Sequence, residues 1–202
     1  MVVLRLMKIL IWTNHSLGCQ SVTRATYQNH WEYALKNGYD IMWANMYYDE
    51  LLNTGTKRMA EQLTYYDAVF VLDADTLFTN TDKKLEDICA MGPDVIMCEE
   101  LIGPHTRLNA GIMMLNQTQN TMDFLELIYK EKPVWEVMPH VYQTYMHLNL
   151  ESLPITLVPA RTFNSVISPW KTYWEPGDFI AHFPGHPGVN PELEHFIKHY
   201  GS

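Results

Sequence analysis

Two carboxylates two residues apart, Asp73 and Asp75, end the apolar run VFVLDADTLF and are the residues of this chain best placed to do chemistry. An apolar strand that runs straight into Asp-x-Asp delivers both side chains to the carboxyl edge of a sheet, where open α/β folds bind ligands. In extended backbone, positions i and i+2 point the same way, so both carboxylates are expected to face one ion. Two anions so close repel, and one pKa rises unless a cation lies between them. Hard oxygen ligands select Mg²⁺ or Mn²⁺, ions that keep waters and share coordination with substrate phosphates. The plain structural alternative is a helix N-cap followed by a solvated acid.

The same string loosely fits the haloacid-dehalogenase phosphatase pattern, in which Asp73 would be the nucleophile and Asp75 the acid/base. That chemistry needs a later Lys for the phosphoryl group and a downstream acidic pair for Mg²⁺. No Asp-Asp and no Gly-Asp-x-x-x-Asp follows; Gly177-Asp178 leads into Phe-Ile-Ala-His instead.

The elements that must position the pair can be read from pattern. Met7–Trp12 is apolar and β-capable, with a polar loop at Thr13–Ser16. Ser21–Lys36 reads as a helix closed by Asn37-Gly38. Tyr39–Ala44 is a second strand, Thr56–Thr64 a helix and Ala68–Leu72 a strand. The unbroken apolar character of that last strand fits a sheet covered on both faces. Alternation β-α-β-α-β predicts an open α/β layer fold. Farther on, a helix is expected at Lys84–Ala90, a strand at Asp94–Glu99, a strand at Gly111–Leu115 and a helix at Thr121–Lys130. Residues 131–190 hold eight of the eleven prolines and read as loop-rich, before a terminal helix from Pro191 to His199.

Composition narrows the function classes. A chain of 202 residues with 47% hydrophobic and 18% charged residues suits one folded domain. A net charge of −9 without any Lys/Arg-rich run argues against a nucleic-acid partner, yet a metal ion would let such a surface accept an anionic nucleotide. Cys19, Cys89 and Cys98 form no CxxC, and three thiols cannot all pair. The run MVVLRLMKILIW is too short for a membrane span and lacks a cleavage site, so a first strand and a cytoplasmic protein are expected. The Asn-x-Ser/Thr triplets at Asn14 and Asn116 are then chance matches.

Four segments, VFVLDADTLFTN, RLNAGIMMLNQTQNTMDFL, VPARTFNS and GDFIAHFPGHPG, occur in that order. The series resembles GT-A glycosyltransferases, chiefly the galactosyl-, xylosyl- and mannosyltransferases of family 34, and more distantly the glycogenin-like family 8. It covers roughly residues 7–190. The resemblance implies a mostly parallel central sheet flanked by helices, and a single domain over 1–202. About 1–100 would be the nucleotide-binding half, about 101–190 the loop-rich acceptor-side half, and 191–202 a terminal helix. The implied reaction is sugar transfer from a nucleoside-diphosphate sugar, with UDP expected, to a glycan or other hydroxyl acceptor.

Roles follow from the matched positions. Asp75 would be a metal ligand, Asp73 would bond the donor ribose or the metal, and His182 would be the third ligand, around Mn²⁺ or Mg²⁺. Thr13, Asn14 and His15 match the strand end that meets the base, with Ala74 inside the Asp-x-Asp motif. Lys57 or Arg58 would reach donor sugar or phosphate, and Gly185 would admit the phosphates. Asn109, Ala110 and Gly111 match a turn that cups the donor sugar, and Gln143 would lie on its β-face. These families retain configuration; an inverting variant would need a carboxylate such as Glu99 or Glu100. In family 8 the last motif ends in Lys-Pro-Trp, whereas His186-Pro187-Gly188 stands here, leaving Lys171 or His186 as substitutes. Nucleotide-sugar binding without catalysis is the alternative outside the enzyme class.

Overall fold

Strand and helix alternate from residue 9 onward in the computed structural model, which describes residues 6–15, 20–45, 48–100, 107–138, 141–168, 171–184 and 191–200, with backbone alone at 15, 45 and 48–54. The first elements are β1 (Ile9–His15), α1 (Gln20–Asn37), β2 (Asp40–Asn45), α2 (Tyr48–Gln62) and β3 (Ala68–Asp73). Gly38 ends α1 at φ 74°, a left-handed conformation that lets Tyr39 N–H reach back to the Ala34 carbonyl at 3.0 Å. Then come β4 (Thr76–Phe78), α3 (Leu85–Cys89), β5 (Val95–Glu99), β6 (Leu108–Asn116), α4 (Gln119–Lys130), α5 (Lys132–Trp135) and α6 (Val141–Leu148). The chain finishes with β7 (Ile155–Val158), β8 (Ser165–Val166), β9 (Ile180–His182) and α7 (Pro191–Tyr200).

Six strands form one sheet in the order β2-β1-β3-β6-β5-β7. The β1–β2, β1–β3 and β5–β7 pairings are parallel, and β6 runs antiparallel to β3 and β5. The sheet is therefore mostly parallel, as expected, and its faces are covered by different helices. Leu10, Trp12, Val69, Val71, Met97 and Met113 pack with Met59 of α2 and Phe124 and Ile128 of α4. Ile9, Ile11, Phe70, Leu72, Ile96 and Met114 pack with Tyr33 of α1 and Leu85 and Ile88 of α3. Met113 and Met114 thus both serve as core, on opposite faces, as a period of two requires.

A second sheet, β4-β9-β8, stands at the carboxyl end of β3. Thr76, Leu77 and Phe78 pair antiparallel with His182, Ala181 and Ile180. Tyr33 stacks on Phe78 with ring centroids 3.7 Å apart, and Phe179 meets both rings, so α1 holds the small sheet from behind.

Residues 131–190 are loop-rich, as expected, but they are not without elements. They carry α5, α6, β7, β8 and β9, whose runs of two to eight residues are too short to show a period. Pro133, Pro154 and Pro159 stand in the first turn of α5 and on either side of β7, where a missing N–H is tolerated. α2 also begins earlier than expected, at Tyr48. Among the described residues, no helix is long and apolar enough to cross a membrane.

Candidate metal and donor site

The backbone does not stay extended through Asp-Ala-Asp. It turns at Ala74 and Asp75, between β3 and β4, with Thr76 Oγ1 donating to the Asp73 carbonyl at 2.8 Å. The two carboxylates still converge, because the turn brings β4 beside β9. Strand β9 delivers His182 opposite Thr76, and Phe183 N–H donates to the Asp75 carbonyl at 2.9 Å. Asp73, Asp75 and His182 offer one oxygen, one oxygen and one nitrogen within 4.8 Å of one another.

His182 is sealed, its side chain 2% exposed, against 20% for Asp75 and 45% for Asp73. Its Nε2 lies 3.5 Å from Asp75 Oδ1 and 4.0 Å from Asp73 Oδ2, and it is a buried nitrogen without a hydrogen bond. Leaving such an atom unmade is costly, and the three groups together could hold one ion. Burial and the Asp75 charge push the Asp73 pKa up to about 7, with His182 opposing. Because Asp73 keeps much of its water contact, repulsion from Asp75 is the firmer of those causes. Burial alone would lower the pKa of His182, but the carboxylates of Asp75, then Asp73 and Glu100, outweigh it and the net direction is upward. A divalent cation would relieve both strains at once, and a set of two carboxylates and one imidazole suits Mn²⁺ or Mg²⁺.

Side chains of helix α1 fix the turn by bonding to its backbone groups. Thr26 Oγ1 donates to the Ala74 carbonyl at 2.7 Å. His30 Nε2 donates to the Thr76 carbonyl at 2.7 Å; burial holds its pKa down at about 4, so it stays neutral. Asn29 bonds Phe78 twice, its Nδ2 to the carbonyl at 3.0 Å and its Oδ1 from the N–H at 2.7 Å. Residues 26, 29 and 30 share one helix face. Sequence reasoning missed all three; the signal would have been polar residues at that spacing on a face that also carries Val22, Tyr33 and Ala34.

Asn109, Ala110 and Gly111 lie within β6 rather than in a turn, at the break in register between β5 and β6. The extra residues bulge toward the metal trio. A Cβ on Gly111 would meet His182 Cε1 at 2.6 Å and Asp73 Oδ2 at 2.7 Å, so no side chain fits there. Asn109 is the hub of this corner. It receives Gly111 N–H at 2.9 Å, gives to Glu100 Oε2 at 2.8 Å and meets Asn164 at 2.9 Å; Asn164 in turn meets His182 Nδ1 at 2.9 Å. Gln143 of α6 joins from the side, its Oε1 accepting from Ala110 N–H at 2.9 Å.

The other expected residues divide. Asn14 pairs in register with Asp73, and its Oδ1 accepts from Trp12 Nε1; Thr13 is buried against His30 on the opposite face. β1 ends at His15, level with the site. Glu99 is exposed at the end of β5 and, unlike Glu100, is not drawn into this corner. Lys57 points elsewhere: its Nζ lies 4.0 Å over the Tyr129 ring, in a groove of about 500 Å³ between α2 and α4 that contains none of the metal trio. Arg58 is exposed on α2. Lys171 lies over Tyr173 at 4.6 Å, and Trp174 is a packed anchor, donating to Thr79 and meeting Phe196 edge-on. Gly185, His186, Trp170 and Cys19 fall outside the described residues. Asn14 and Asn116 are buried, and Asn116 Nδ2 donates to the Cys89 and Gly92 carbonyls.

A second charged cluster stands at the other end of β9. Asp178 accepts from Arg161 Nε and Nη2 at 3.0 and 2.9 Å, from Ser165 Oγ at 2.8 Å and from Glu175 N–H at 2.9 Å. Burial would raise its pKa, but the Arg161 and Ser165 bonds and the Glu175 N–H prevail and hold it below the ordinary carboxylate value.

No protein-family model and no curated protein sequence matches the chain. Solved structures do. A glycosyltransferase involved in glycosylation of the major capsid of PBCV-1 superposes with a TM-score of 0.74 at 15% identity, over 95% of this chain and 99% of that one. The galactosyltransferase LgtC, in complex with donor and acceptor sugar analogues, gives 0.60 at 14% identity, over 95% of each chain. Mouse xyloside xylosyltransferase 1 gives 0.56 at 12% identity, over 91% of this chain and 99% of that one. The chain has the GT-A fold of these glycosyltransferases.

Proposed function

We propose that this protein is a metal-dependent glycosyltransferase. It would move a hexose-type sugar from a UDP-linked donor to a hydroxyl of a glycan or similar acceptor, with retention of configuration. One observation carries the reading: the unpartnered, buried Nε2 of His182 faces two carboxylates that repel each other, at the sheet edge where this fold class binds ligands. The phosphatase alternative loses its support, since the group that arrives beside Asp73 is an imidazole rather than an acidic pair.

In this reading Asp75, His182 and Asp73 hold Mn²⁺ or Mg²⁺, the imidazole tilting the preference toward Mn²⁺. When bound, the ion supplies Lewis-acid charge against the leaving diphosphate. The chain's own residues do the rest. The end of β1, at Asn14 and His15, would border the base, with Thr13 packed beneath on the opposite face, and the bulge at Asn109–Gly111 would leave room for the donor sugar. Gln143, tied to the Ala110 N–H, stands beside that bulge. Retention fits the carboxylates: Glu100 is bonded to Asn109 and Glu99 stands apart, so neither is set out as an inverting base. The nucleotide side in about 1–100 and the acceptor side in about 101–190 belong to the same proposal.

Calorimetry against a panel of nucleoside-diphosphate sugars, with and without Mn²⁺, tests it. Binding of one UDP-sugar only when Mn²⁺ is present is expected, followed by turnover whose product anomer NMR identifies. Full activity in chelated protein overturns the metal role. Tight binding with no turnover on any acceptor makes the protein a nucleotide-sugar-binding module instead.

A further inference from the structure

A neutral imidazole carries one proton on two nitrogens, and its neighbours decide which nitrogen holds it. Around His182 that decision starts from a group whose polarity is fixed. Gly111 N–H is backbone and only donates, so the Asn109 atom 2.9 Å away is the amide oxygen. The Asn109 nitrogen therefore faces Glu100 Oε2, an atom that in its ionised carboxylate only accepts. Both ends of the Asn109 amide are thus set by partners that cannot be reversed. The same Asn109 oxygen meets Asn164, which must present its Nδ2 there. That leaves the Asn164 oxygen facing His182 Nδ1 at 2.9 Å, a position that demands an N–H. All of these groups are buried or partly buried, which raises the cost of any mismatched pair.

We propose that Asn164, oriented by Asn109 between the Gly111 N–H and Glu100, is a positioning residue that fixes His182 as its Nδ1–H tautomer. The consequence is that Nε2 carries a lone pair aimed at Asp73 and Asp75, ready to bind a cation. The relay works against a local competitor, because an Nε2–H could instead donate to Asp75, 3.5 Å away. The metal-binding half of this inference rests on the reading of the site given above; the tautomer half does not. Outer partners of a ligating imidazole typically contribute 10- to 100-fold in metal affinity.

The test reads the proton directly. Ring ¹⁵N shifts of His182 are recorded in metal-free, ¹⁵N-labelled protein at alkaline pH, assigned by comparison with His182→Gln. We expect Nδ1 protonated and Nε2 bare. Asn164→Ala moves the proton to Nε2 and weakens Mn²⁺ binding, followed by EPR titration, by about 10- to 100-fold. Asn164→Asp, which keeps an acceptor for Nδ1–H, retains the wild-type tautomer and does not lose Mn²⁺ affinity. Glu100→Gln also retains the tautomer, since its Oε1 still accepts from Asn109. An Nε2–H signal in the wild type or in Asn164→Asp overturns the inference, and so does an Asn164→Ala protein with unchanged tautomer and affinity. Should Asn164→Ala not fold, the wild-type and Asn164→Asp spectra decide. The Nδ1–H tautomer without any Mn²⁺ binding sinks the metal reading while leaving Asn164 its role.

Discussion

Strand β9 joins two carboxylate clusters that solve the same electrostatic problem in opposite ways. Asp178, two residues before β9, is met by the Arg161 fork, Ser165 and a backbone N–H, and its pKa falls. Asp73 and Asp75 face the other end of β9, where among the described residues His182 is the group they share, and the pKa of Asp73 rises. In the first cluster the chain carries its own cation; in the second, on the proposed reading, a bound ion would supply the positive charge. A partly exposed carboxylate pair with no lysine or arginine against it among the described residues is what the proposed cation would neutralise, whereas the paired Asp178 needs no ligand.

Substitutions separate the two clusters. Asp75→Ala and His182→Ala should each cut sugar transfer by at least about a hundredfold while leaving the circular dichroism spectrum intact. Loss of folding in either variant would erase the distinction between the two clusters. Mn²⁺ at about 100 times its Kd should stabilise the wild type by about 2.7 kcal/mol and these variants by far less, read as a shift in Tm. Asp178→Ala should show the reverse pattern. It costs about 2 kcal/mol or more of stability, because the four hydrogen bonds to its carboxylate are lost, but keeps one Mn²⁺ per chain. Gly111→Ala probes the metal corner sterically. Its Cβ must displace His182 or Asp73, so a loss of about 1–3 kcal/mol with weakened Mn²⁺ binding is expected from thermal melts and titration.

The smallest effect is in pH dependence, where the signs differ. Asp73 titrates higher in the folded protein than unfolded, so its contribution is fully present below its ordinary value and is lost as pH rises toward about 7. Asp178 titrates lower than when unfolded, so its contribution is present above the ordinary value and fades as pH falls through the folded one. Metal-free Asp73→Asn should therefore lose less stability than the wild type between about pH 4 and 7, and Asp178→Asn should lose less on acidification. Equal slopes in melts of both variants would contradict the contrast between the clusters.

Much of this was legible in the residues. The alternation up to Ala68–Leu72, the placing of Asp73 at a strand end, and the helices at 20–37, 119–130 and 191–200 all follow from local pattern and capping. His182 came through resemblance, since no spacing rule connects it to Asp75. What the sequence hid was contact between distant positions. Asn164 lies in VPARTFNS, a segment included in the resemblance without a role, and only the fold brings it between residues 109 and 182. Thr26, Asn29 and His30 were hidden differently, as polar groups on a buried helix face where pattern reading expects apolar ones. Lys57 shows the converse: a cation near the site in the chain spends its charge over Tyr129.

All six strands of the large sheet are complete by Val158, whereas β8 and β9 follow it. A chain emerging from synthesis therefore holds every segment of its main scaffold before it holds either His182 or Asp178. The pairing of Thr76 with His182 then closes a very long loop, the kind of contact that local folding cannot anticipate. On the proposed reading, competence to take up an ion thus waits for β9. A nascent or truncated product ending near residue 160 would carry the carboxylate pair with its repulsion and none of the means to quench it.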